Sequence, residues 1–176
     1  MQEAFIKVWT PFTESRFRLL LSDPRDFSVL HLGTHFNLRP GNALRSFLVL
    51  GDGSQLTLDQ LDGLDFGGIE LFTLSACETG LGGAVTDDGR EIEGLSAIVR
   101  RRGAKRVVAS LWSVEDVSTA RLMGQFYRGM GTDGADAARA LQQAQLAVRR
   151  TEADGVRPYD HPYYWAGFVL SGTTEP

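Results

Sequence analysis

The stretch IELFTLSACETG, residues 69–80, decides the fold. Ile69 to Leu74 run almost unbroken in apolar and β-preferring residues, then small residues and Gly80 stop the run. An apolar run of strand length without clean alternation is the pattern of a strand buried on both faces, as in the middle of a parallel sheet. Cys77 is then expected just past the strand's C-terminal end. Upstream, Val29 to Leu32 form a shorter apolar run bounded by Gly33, with His35 three residues beyond it. Downstream, AKRVVASLW (residues 104–112) reads as another central strand and YYWAGFVLSG (residues 163–172) as a final aromatic one.

Between these runs the periodicity changes to that of helices. Ile92, Leu95, Ile98 and Val99 share one face of a helix expected over Glu91–Arg102, ending before Gly103. Val117, Leu122, Met123, Phe126 and Tyr127 mark a second helix over Glu115–Arg128, and Leu141, Ala144 and Val148 a third over Asp133–Arg150. Near the N-terminus, residues 5–24 read as a helical or irregular lead-in broken by Pro11 and ended near Pro24. Asp52-Gly53 between apolar stretches predicts a tight hairpin, followed by a short helix over Leu58–Leu64 that starts at Thr57 or Asp59. Strand, helix, strand, helix, strand implies an α/β fold with a mainly parallel central sheet flanked by helices. In such sheets ligands gather outside the strand C-termini.

Composition narrows the function classes. The chain has 176 residues and a formal charge of 18 − 22 = −4, which disfavours non-specific association with nucleic acid. No run reaches the roughly 18 apolar residues needed to span a bilayer, and the first residues lack the order of a signal peptide. A single cysteine cannot form an intramolecular disulfide, so a cytoplasmic location is expected.

Cys77 and His35 are the two residues at strand ends that carry chemistry. A thiol becomes a strong nucleophile as thiolate, and a neighbouring histidine supplies the base or the stabilising charge. Acyl transfer also needs an oxyanion hole, which backbone N–H groups at a glycine-flanked turn provide. The competing reading is that Cys77 is a small buried hydrophobe. His31, inside its strand, reads as a hydrogen-bonded core histidine, and His161 before Pro162 as a loop or strand-start residue.

Three scattered histidines and one cysteine lack zinc-ligand spacing, and Asp87 to Glu91 lacks the alternating oxygens of a calcium loop. No metal and no cofactor are expected. Gly80 to Gly83 lack the completing residues of either a dinucleotide fingerprint or a P-loop. The glycine-rich segment from Gly80 to Gly94 reads instead as a loop beside the site, a candidate activation or specificity loop whose Asp87 and Asp88 keep it solvated.

HLGTHF (31–36), LSACETGLG (74–82), EIEGLS (91–96), VVASLWSVEDVSTARLMGQFY (107–127), ALQQAQLAVR (140–149) and HPYYWAGFVLSG (161–172), in that order, closely resemble the CHAT family of caspase-like cysteine peptidases. The resemblance implies a caspase-like three-layer α/β sandwich and a cysteine endopeptidase, with the catalytic histidine at His35 and the nucleophile at Cys77. It places oxyanion donors on the backbone at Gly33, Phe36 and Cys77. By similarity to the wider clan, Asp116, with Glu115 beside it, lines the pocket for a basic side chain, Arg or Lys, before the scissile bond. The alternative role for Asp116 is to cap the helix that begins there. The implied partners are a protein or peptide substrate and a tetratricopeptide-type regulatory partner or upstream domain, with no nucleic acid and no membrane.

Two features depart from the family pattern. Phe36 stands where relatives carry a small residue after the histidine, and only 28 residues precede Val29. The expectation is one domain over residues 1–176, shortened on its N-terminal side. Both departures favour a second reading, a catalytically idle caspase-like module that serves for docking or signalling in a larger assembly.

Overall fold

The computed structural model describes residues 12–22, 27–37, 39, 45–78, 90–133 and 137–172. The order is α1 (Glu14–Ser22), β1 (Val29–Asn37), β2 (Phe47–Val49), β3 (Gln55–Thr57), α2 (Leu58–Asp62), β4 (Leu71–Glu78), α3 (Arg90–Arg101), β5 (Arg106–Ser110), α4 (Asp116–Asp133), α5 (Ala137–Arg149) and β6 (Phe168–Gly172). The six strands form one sheet in the order β3-β2-β1-β4-β5-β6.

The sheet is mixed, which corrects the expectation of a mainly parallel one. β1, β4 and β5 are parallel neighbours at its centre, while β2, β3 and β6 join antiparallel. Connection length explains the difference. The single helix α3 carries the chain back to the starting end of the sheet, so β5 enters parallel to β4. The pair α4 and α5 passes the sheet twice, and β6 therefore runs back against β5. The Asp52-Gly53 turn, with Gly53 at φ +82°, folds β3 onto β2 as expected of that pair.

Side-chain alternation divides the core between the two faces. Leu30, Leu32 and Phe36 of β1, Phe72 and Leu74 of β4, and Val107 and Ala109 of β5 pack with α1, α2 and α3. Leu71 and Val108, of the opposite parity, pack with Leu122 and Phe126 of α4 and with Leu141, Ala144 and Val148 of α5. Each large side chain buried in this way contributes roughly 1.5–3 kcal/mol. Toward the strand C-termini the second face turns polar: His31, Gly33 and His35 on β1 lie beside Thr73 and Ser75 on β4.

Several local features match their sequence signals. Thr57 caps α2 in a reciprocal box with Gln60, its hydroxyl accepting from the Gln60 N–H while the Gln60 side chain accepts from the Thr57 N–H. Gly103 follows α3 at φ +117°, and a Cβ there would stand 2.7 Å from the Gly67 nitrogen and 2.9 Å from its Cα. These are backbone atoms, which cannot swing aside as the end of a side chain would. Gly103→Ala should therefore lower the unfolding free energy by about 2–4 kcal/mol, measured as a lower urea midpoint at an unchanged slope.

The two helices after β5 have different limits from those expected, α4 reaching Asp133 and α5 starting at Ala137. Tyr163 and Tyr164 belong to a short 3₁₀ turn, Pro162–Tyr164, rather than to the last strand, because Pro162 starts a helical turn and the His161 ring accepts from the Tyr163 N–H. His161 is thus a loop residue. Of the loop expected from Gly80 to Gly94, residues 80–89, with Asp87 and Asp88, lie outside the described residues, while residues 90–94 belong to α3 and not to a loop.

Candidate active site

β1 and β4 are the frame of the site. Both run further than their apolar residues predicted: the parallel register continues through Gly33↔Ser75, Thr34↔Ala76, His35↔Cys77 and Phe36↔Glu78. Backbone hydrogen bonds need no apolar side chain, so the ladder extends as long as small residues let the strands stay together. His35 and Cys77 consequently lie within their strands, not in turns after them, and as direct register partners. Gly33 and Phe36, expected at a turn, are strand residues as well.

A pocket of about 370 Å³ opens on the polar face between β1, β4 and the first turns of α4. His31, Gly33, His35, Ser75, Asp116 and Met123 are among its lining residues. This is near the small end of ligand cavities, the size for a side chain and its flanking backbone. The Phe36 side chain is only 4% exposed and packs in the opposite core, so its bulk does not enter the pocket.

A model of the CHAT domain family matches residues 3–173, nearly the full length of the chain. The chain belongs to the CHAT domain family. No curated protein matches it.

In this CHAT domain the two acidic residues after Trp112 have different surroundings. Glu115 caps α4: one carboxylate oxygen accepts from the Val117 N–H at 3.0 Å, the other from the Ser118 N–H at 2.7 Å. The Ser118 N–H, then the Val117 N–H and Ser118 hydroxyl, hold this carboxyl below its ordinary range. Capping thus falls to Glu115 and not to Asp116, which stays exposed on the pocket wall. Because the folded state favours the ionised form of Glu115, its stabilisation is present above the ordinary carboxylate range and is lost as pH falls through the depressed value. Glu115→Gln should remove about 1 kcal/mol near pH 7 and reduce the acid-side loss of Tm, checked by thermal melts from pH 7 down to pH 3.

His31 corrects the reading of a core histidine. Its residue parity is that of Gly33 and His35, which faces α4, and the residue is exposed on the pocket side. Its Nε2 is 2.8 Å from Ser75 Oγ, and its ring lies 5.6 Å from that of Tyr127 on α4. These neighbours close the other directions to bulk water, and desolvation lowers the His31 pKa to about 4. The imidazole is neutral at pH 7, with one open side and one fixed side. Tyr127 in turn donates to Thr73 Oγ1 at 2.9 Å, and burial pushes its hydroxyl up to about 12. The polar row His31, Ser75, Thr73 and Tyr127 escaped the sequence reading because only the two-residue alternation signals it, and that alternation is blurred in strands covered on both faces.

Among the described residues no group of three histidine, cysteine, aspartate or glutamate side chains could hold a metal ion, and no helix is long and apolar enough to cross a membrane.

Proposed function

We propose that this CHAT domain is a caspase-like cysteine endopeptidase in which Cys77 and His35 act as a dyad. The observation that carries the reading is the register pair His35↔Cys77, of which His35 lines a pocket that also holds Asp116. Cys77 loses its proton to His35 and attacks the peptide carbonyl, forming a carbon–sulfur bond. Backbone N–H groups at Gly33, Phe36 and Cys77 receive the developing oxyanion. His35 returns the proton to the departing amine as the carbon–nitrogen bond breaks, then takes a proton from the water that hydrolyses the thioester. Asp116, exposed and freed from capping by Glu115, offers its carboxylate to a basic side chain, so cleavage follows Arg or Lys.

The idle-module reading loses one of its two grounds here, since Phe36 turns into the core and leaves the pocket open. The test is hydrolysis of fluorogenic arginyl and lysyl peptides by the wild-type chain beside Cys77→Ala. Cys77-dependent release after a basic residue supports the reading. Its absence under all activating conditions, with the protein folded, supports the docking module.

A further inference from the structure

His31 and Ser75 line the pocket from β1 and β4, across from Asp116 on α4. The distance of 2.8 Å between His31 Nε2 and Ser75 Oγ is also that of a serine nucleophile on its base. A ring that stays neutral down to about pH 4 is a poor proton acceptor for a hydroxyl, however, and this pair is better suited to holding a shape. Its second fixture is the Tyr127 ring, itself tied by its hydroxyl to Thr73. Beside Asp116 on α4, Thr119 Oγ1 is buried without a hydrogen-bond partner among the described residues, and the described lining of the pocket includes no lysine or arginine. Besides His31, the titratable groups lining this space from β1 and α4 are His35 and Asp116, with Tyr127 against the His31 ring. Ser75 faces it from β4.

We infer that His31 is a specificity-determining residue, a ring held by Ser75 and Tyr127 against which a basic substrate side chain ends while Asp116 supplies its counter-charge. A pocket with one carboxylate and a neutral floor favours a cation. The same pocket with a charged floor would cancel that preference, because like charges brought together in a narrow cleft are strongly disfavoured. Ser75 fixes the orientation of the ring, and the residue two positions on in β4 is Cys77, so the floor is built into the same two strands as the dyad. This inference rests on the reading of the pocket as the seat of a basic side chain.

The test uses binding, so it does not depend on turnover. The chain has three histidines, and their ring signals in ¹H–¹³C spectra can be assigned with His31→Gln and His161→Gln. Wild-type protein is titrated with Nα-acetylarginine methylamide and with its uncharged citrulline counterpart. The His31 signals should move with the arginine compound, which should bind at least about tenfold more tightly than the citrulline one. His31→Ala, which removes the ring, should bind the arginine compound at least about threefold more weakly than wild type, and His31→Lys at least about tenfold more weakly. His31 signals that stay fixed at saturation, or His31→Ala and His31→Lys variants that bind as wild type does, would overturn the floor role while leaving the basic pocket standing if Asp116→Asn still removes the preference. Failure of wild type to bind the arginine compound, or binding indifferent to Asp116→Asn, would overturn both.

Discussion

Cys77→Ala and His35→Ala should each lower kcat/KM for arginyl and lysyl peptides by at least about 10³-fold, with little change in Tm. Nucleophile and base work as a unit, so the double variant should be no worse than either single one. That non-additivity separates a dyad from two residues that each contribute separately to binding. His35 is exposed on the polar face and its replacement creates no core cavity, so loss of activity would not come from unfolding. Steady-state kinetics with circular dichroism melts decide the matter. Independent, multiplicative losses would exclude the dyad.

Asp116→Asn carries the second large effect. The arginyl substrate should lose about 100-fold in kcat/KM, the counterpart of roughly 2.7 kcal/mol, while a peptide with an uncharged residue at that position changes by less than about threefold. The isosteric amide removes charge without removing volume. Because Glu115 supplies the cap of α4, the helix start should survive the change, and Tm should move by less than about 2 °C. Equal losses on charged and uncharged peptides would mean that Asp116 supports the fold of the site and does not select the substrate.

The parts of the fold readable from the chain were those encoded locally. Ile69 to Leu74 announced β4, the Thr57 and Gln60 pair announced α2, and Asp52-Gly53 announced the hairpin. Strand direction at the sheet edge was not local: β6 runs antiparallel because two helices, not one, precede it. Strand ends were hidden for a related reason. Gly33 to Phe36 and Ser75 to Glu78 extend β1 and β4 through backbone pairing, to which side-chain hydropathy is blind.

Of the proposed site, the sequence indicated only the placement of two residues on neighbouring strands. His35 and Cys77 were found from their places after apolar runs, and the register pairs them. That Glu115 and not Asp116 caps α4 was not legible, since both are acidic residues at a helix start and only the hydrogen bonds of Glu115 tell them apart. His31 was misassigned to the core, although its spacing of four from His35 on one strand puts both on the same face.

The central claim is that His35 activates Cys77, and the single cysteine of the chain makes it directly measurable. Iodoacetamide labelling of the folded protein at pH 6.5, followed by mass spectrometry, reports the reactivity of Cys77 alone. The dyad predicts that His35→Ala slows labelling at least about tenfold while denatured wild type and variant label at the same rate. Equal rates for the two folded proteins would contradict it.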